Sequence, residues 1–94
     1  MVSEKQIERT MVCEVKKLGG LALKFLSPSM DGVPDRIVLF HGGKLAFVEL
    51  KAPSKKLKPL QIRRKKQLEA LGFKVYCIDN LEMIGGVLNE IQSS

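Results

Sequence analysis

Two carboxylates and an ammonium stand where a hairpin would gather them. The stretch Gly32-Val33-Pro34-Asp35-Arg36-Ile37-Val38-Leu39-Phe40 is followed by His41-Gly42-Gly43 and then by Lys44-Leu45-Ala46-Phe47-Val48-Glu49-Leu50-Lys51. Two apolar runs around a glycine-rich turn read as a β-hairpin. Side chains alternate between faces along a strand, so Leu45, Phe47, Glu49 and Lys51 share one face. Asp35, Ile37 and Leu39 repeat the arrangement on the first strand. Folding the hairpin brings Asp35 beside Glu49 and Lys51, far from the turn. Two carboxylates meeting at the edge of a core repel each other unless a cation lies between them, and a divalent cation with oxygen ligands is the usual solution. Lys51 would then orient a bound water or stabilise a developing negative charge.

The geometry makes one strict demand. Asp35 and Glu49 share a face only if the loop has an odd number of residues. The simplest case is His41-Gly42-Gly43 with Phe40 opposite Lys44, and Gly43 in the left-handed conformation that three-residue loops use. A two-residue Gly42-Gly43 turn would separate the carboxylates. Taken one at a time these residues also have plain structural readings. An Asp before a strand often serves a turn, and Glu-x-Lys at a strand end is often a solvated ion pair.

The combination is more specific than its parts. Pro34-Asp35, thirteen intervening residues, then Glu49-Leu50-Lys51 resembles the PD-(D/E)xK nuclease signature. Gly32-Val33-Pro34-Asp35-Arg36 and Phe47-Val48-Glu49-Leu50-Lys51-Ala52-Pro53, with Gln61 downstream, resemble its VRR-NUC branch over about Glu8 to Asp79. The resemblance implies a small DNA nuclease of restriction-endonuclease-like fold, dependent on Mg²⁺ or Mn²⁺. Asp35, Glu49 and the Leu50 backbone carbonyl would hold the metal, with Glu8 completing the site from the first helix. Gln61 would orient the nucleophile or the DNA backbone. The resemblance also implies a homodimer, with branched DNA such as a four-way junction among its substrates, and a bacterial or phage setting.

These residues need elements to hold them. Ser3-Glu4-Lys5-Gln6 matches a capping box, so a helix starts near Glu4, and Gly19-Gly20 ends it. Ile7, Met11, Val15 and Leu18 form its apolar stripe, widened by Val12. Glu8 lies inside that stripe. By pattern alone it is either a helix-edge carboxylate paired with a cation or a group aimed at the site. Glu4, in the first turn, reads as a structural partner of the helix dipole. Leu21 to Leu26 is a short strand carrying Lys24, whose direction the pattern leaves open. After the hairpin, Pro59 opens a helix that runs to about Leu71, with Leu60, Leu68 and Leu71 as its inner stripe and Gln61 and Arg64 on the inner arc. Lys74 to Ile78 is the last strand. Asn80 caps a closing helix over Leu81 to Gln92, in which Gly85-Gly86 points to close packing against another helix or to a break. The order is αβββαβα, an α/β fold with a mixed β-sheet flanked by helices.

The chain has 94 residues and reads as one domain over 1–94, small enough that dimerisation through the apolar closing helix would help it. Lys and Arg number 16 against 10 Asp and Glu, a net charge of +6, which suits a polyanionic partner. Lys55, Lys56, Lys58, Arg63, Arg64, Lys65 and Lys66 put seven cations in twelve residues soon after Glu-x-Lys, where phosphate contacts would be needed. No apolar run approaches the length of a membrane span. Met1 is followed by polar residues rather than a signal segment, and Cys13 and Cys77 have neither metal-site spacing nor disulfide density. These features predict a cytoplasmic, reduced protein. His41 is the only histidine and lies in a turn, so no Ser-His or Cys-His nucleophile is available.

Overall fold

The computed structural model describes all residues, Met1–Ser94. The elements are α1 (Glu4–Lys17), β1 (Leu21–Lys24), β2 (Arg36–Phe40), β3 (Lys44–Leu50), α2 (Pro59–Ala70), β4 (Lys74–Ile78), a short 3-10 turn (Leu81–Met83) and α3 (Ile84–Ser93). The sheet order is β1-β2-β3-β4. The first three strands are antiparallel, and β4 joins β3 in parallel after the α2 crossover. A parallel pair needs such a crossover, which two-residue turns cannot provide.

Local chemistry explains the boundaries. The Ser3 hydroxyl accepts from the Gln6 amide at 3.1 Å and starts α1. Pro59 sits at the start of α2, where its missing N–H costs nothing. The Asn80 side chain accepts from the Met83 amide at 3.0 Å, so the cap holds a 3-10 turn before α3 begins. The closing segment is therefore broken in two near Met83 rather than continuous from Leu81.

The sheet has two unlike faces. Val38, Phe40, Ala46, Val48, Leu50 and Ile78 point to one side and pack under α1 and α3, joining Ile7, Met11, Val15, Ile84, Val87, Leu88 and Ile91 in one core. The apolar side of α3 is thus consumed within the chain. Gly85 and Gly86 are exposed, and a Cβ added at either would meet nothing within 4 Å, so they mark neither a close helix crossing nor a break. The dimer face anticipated on this helix is already covered by the chain's own core.

The opposite face carries Leu21, Leu23, Ile37, Leu39, Leu45, Phe47 and Glu49 by strand alternation. Here α2 packs against β4 and covers only that half of the sheet. Leu21 stays 59 % exposed and Leu23 45 %. The expected inner stripe of α2 is weakly buried too: Leu60 is 40 % and Leu71 74 % exposed, and no α2 residue is fully buried. Between α2 and the sheet, Phe47 meets Phe25 with ring centres 5.6 Å apart and Phe73 edge-on at 5.7 Å. This small aromatic cluster replaces the leucine stripe as the packing on that side.

Candidate active site

The hairpin register places the acidic pair. Phe40 lies opposite Lys44, Leu39 opposite Leu45 and Arg36 opposite Val48, so the loop is His41-Gly42-Gly43. Both Gly42 and Gly43 take left-handed backbone angles, φ 80° and 71°, one more than the loop was expected to need. Continued by one residue, the register sets Asp35 opposite Glu49. The link is direct: Asp35 Oδ2 accepts from the Leu50 amide at 2.9 Å. That bond fixes one oxygen of Asp35 against the end of β3.

Gly32 and Pro34 hold Asp35 in place from the other side. Gly32 has φ +82°, and a Cβ there would stand 2.7 Å from the Leu60 side chain and 3.1 Å from the Leu60 carbonyl oxygen. Only glycine lets this loop approach the start of α2 so closely. Pro34 is buried and sets the extended entry into β2. Arg64 completes the clamp. Its Nε donates to the Asp31 carbonyl at 2.7 Å and an Nη to Gln67 at 3.0 Å.

Glu49 is the buried ionisable group of the fold, 4 % exposed at the inner end of β3. Burial pushes its carboxyl up to about 8, helped by its hydrogen bond to Asp35 and by the Asp35 charge; Lys51 pulls the other way and Glu4 adds to the rise. Phe47, itself buried, lies two residues back on the same face of β3. Cys77 lies beside Glu49 on β4, and burial followed by the charges of Asp79 and Glu49 raises its thiol. The arrangement is a hard-donor pair of carboxylates forced together, in which burial and Asp35 outweigh the charge of Lys51 and favour the protonated form of Glu49. Oxygen donors in that state fit a divalent cation, which would displace the proton and remove the repulsion.

The first helix departs from expectation. Glu8 does not join the pair. Its Oε2 accepts from Arg36 Nε at 3.0 Å, while an Arg36 Nη donates to the Ala22 carbonyl at 3.0 Å. Strand parity is the reason. Arg36 alternates with Asp35, so its side chain points to the α1 face and Glu8 follows it there, whereas Glu49 points to the α2 face. Correspondingly, no group of three or more His, Cys, Asp or Glu side chains is gathered closely enough to hold a metal ion. The α1 carboxylate whose charge reaches Glu49 is Glu4, one turn nearer the helix start. Sequence reasoning set Glu4 aside as a dipole partner. The available signal was its place at the helix terminus, from which a side chain can pass round the sheet end instead of through the core.

The remaining site residues fall into two groups. Lys51 lies just past β3, its backbone amide bonded to the Ile78 carbonyl at 3.0 Å and its charge felt by Glu49. Gln61 stands on the α2 side, where its Oε1 accepts from the Lys58 amide at 2.9 Å. Its carbonyl is therefore a helix cap, leaving only the amide N–H groups for a ligand. Lys55, Lys56, Lys58 and Arg63 are exposed on the loop and helix next to the site. Arg64 is engaged in the Asp31 clamp, and Lys65 pairs with Glu69 at 3.1 Å. The cation run divides into four free side chains, one structural arginine and one paired lysine, with Lys66 exposed beyond them.

The chain is 46 % identical over 83 residues to "Putative nuclease p44" of Acyrthosiphon pisum secondary endosymbiont phage 1, covering 88 % of this chain and 89 % of that protein. The fold superposes on a solved structure described as a VRR_NUC domain with a TM-score of 0.86 at 22 % identity, covering 94 % of this chain and 97 % of the other. The chain belongs to the family of this phage nuclease, and its fold is that of a VRR_NUC domain. No family model matches it. Within this fold, Asp35 immediately precedes β2 and Glu49 lies on β3. No helix is long and apolar enough to cross a membrane.

Proposed function

We propose that this VRR-NUC chain is a divalent-metal-dependent DNA endonuclease that hydrolyses phosphodiester bonds. The observation that carries the reading is Glu49, 4 % exposed and forced against Asp35 at the sheet end with a carboxyl raised to about 8. A buried acidic pair of this kind costs stability in the empty protein, which is reasonable where a cation is to be held. Asp35, Glu49 and the Leu50 backbone carbonyl would hold Mg²⁺ or Mn²⁺. When bound, the ion supplies polarisation of the phosphate and a lowered pKa for a coordinated water.

The chain's own groups do the rest. Lys51 faces the charge that builds on the phosphate and positions the attacking water. The Gln61 amide donates to a phosphate oxygen near the cut. Lys55, Lys56, Lys58 and Arg63 hold the flanking phosphates, which accounts for the placement of free cations beside the acids. Glu8 keeps Arg36 in place rather than holding metal.

The half-open sheet face favours a homodimer. Leu21 and Leu23, exposed beside Ile37 and Leu39, form an apolar strip that a second copy of the chain would cover. A two-fold dimer presents two identical sites, as symmetric cutting of a four-way junction requires. Light scattering tests this: the monomer mass is 10.5 kDa, and a mass near twice that is expected at micromolar protein. A monomer with full activity would remove the dimer.

Incubation with labelled linear, flapped and four-way-junction DNA, with and without Mg²⁺, tests the function. Cleavage only with metal is expected, strongest on branched DNA. Binding without cleavage under every metal condition would make the chain a DNA-binding module instead.

A further inference from the structure

A second group of cations lies across the sheet end from the Lys55–Lys58 loop. Lys5, Arg9, Lys24 and Arg36 line an open cleft of about 270 Å³ between α1 and the β1 edge, with Glu8 and Val12. The fold builds it. Lys24 and Arg36 are cross-strand partners and therefore project side by side. Lys5 and Arg9 are one helical turn apart and flank Glu8. Arg36 is held from two directions, by Glu8 at 3.0 Å and by the Ala22 carbonyl at 3.0 Å, with its side chain 15 % exposed. Glu8 thus offsets Arg36, the deepest cation. Lys5, Arg9 and Lys24 are exposed and make no ion pair, so the cleft presents a surplus of three positive charges.

The position gives this surplus a use. Arg36 follows Asp35 directly in the chain, and Lys5 follows Glu4, whose charge reaches Glu49. The cleft therefore borders the acidic pair on the α1 side, while Lys55, Lys56 and Lys58 border it on the other. A nucleic-acid strand crossing the sheet end would meet cations before and after the cut.

We infer that Lys5, Arg9 and Lys24 form a second phosphate subsite, which takes the backbone of the nucleic acid on the α1 side of the acidic pair. The inference rests on the nuclease reading for its polymer. The cleft itself is chemically suited to any phosphate.

The test is binding in EDTA, which is independent of cleavage. Wild type and the K5A/R9A/K24A variant are titrated with a fluorescent duplex at several salt concentrations. Three lost contacts should flatten the slope of log K against log salt by about 2 to 3, since each neutralised phosphate contributes roughly 0.9. Affinity should fall about tenfold or more at low salt. Thermal melting should not change, because the three side chains are exposed and unpaired. An unchanged slope in a well-folded variant overturns the second subsite while leaving the nuclease reading intact. Failure of the wild type itself to bind DNA overturns both. Inorganic phosphate competing as strongly as the duplex, phosphate for phosphate, would assign the cleft to a free anion and overturn the polymer subsite.

Discussion

Replacing Glu49 by glutamine should stabilise the metal-free protein, and only above acid pH. The carboxyl is raised from 4.5 to about 8, chiefly by burial and then by Asp35. A carboxylic acid whose folded value lies above its unfolded value destabilises the fold when ionised. The cost is absent below the unfolded value, grows as pH rises between the two, and is complete above the folded one. At about 1.4 kcal/mol per unit, the difference at pH 7 comes to a little over ~3 kcal/mol before any discount. Entry of water into the site reduces this to roughly 1–3 kcal/mol. The amide is close in shape to the protonated acid and does not titrate. For a domain of this size each kcal/mol moves Tm by about 4–8 °C. Melting wild type and E49Q in EDTA at pH 4 and pH 8 gives the measurement. Equal stability is expected at pH 4 and a clear gain for E49Q at pH 8. Other carboxylates titrate alike in both proteins and cancel in the comparison. Added Mg²⁺ at pH 8 should then raise the wild type and leave E49Q unmoved. A variant that is less stable than wild type at pH 8 would refute the account of a strained acidic pair.

Asp35→Ala and Glu49→Ala should each abolish cleavage while metal-free DNA binding holds or strengthens, because a charge that repels phosphate is gone; wild-type cutting in either, in a gel assay with Mg²⁺, would remove these residues from the site. K55A/K56A/K58A should weaken binding and flatten its salt dependence, read by anisotropy at several salt concentrations. Gly32→Ala meets both a left-handed backbone and the Leu60 carbonyl at 3.1 Å, so chemical denaturation should find it destabilised by about 1–3 kcal/mol.

The residues around the hairpin were legible in the sequence because few constraints act there and all of them agree. The strand period, a loop of odd length and two glycines fix the register, and the register alone brings Asp35 to Glu49. The cap residues Ser3, Pro59 and Asn80 likewise mark helix starts by local bonding. The failures lie where tertiary structure decides. Leu60 and Leu71 have helical spacing, but α2 covers only half a sheet face, so the spacing does not guarantee burial. Gly85-Gly86 suggested close packing or a break, and is simply an exposed part of α3. Arg64 was grouped with the phosphate contacts because charge is visible in a sequence and its backbone acceptor at Asp31 is not.

Glu8 is the most instructive case. A helical wheel places it on the buried stripe of α1, and a buried carboxylate needs a positive partner. The wheel identifies the need without naming what meets it. The partner is settled by a different element: Asp35 and Arg36 are adjacent at the entry to β2 and point to opposite sides of the sheet. The side that receives Arg36 is the side on which α1 lies, so the helix meets the guanidinium and not the acidic pair. A glutamate of α1 can approach Glu49 only round the end of the sheet, where the helix begins and where Glu4 stands. The same parity puts the two cation groups on opposite sides of the acids. One alternation along β2 thus separates the pair that would hold metal from the arginine that shapes the second cleft.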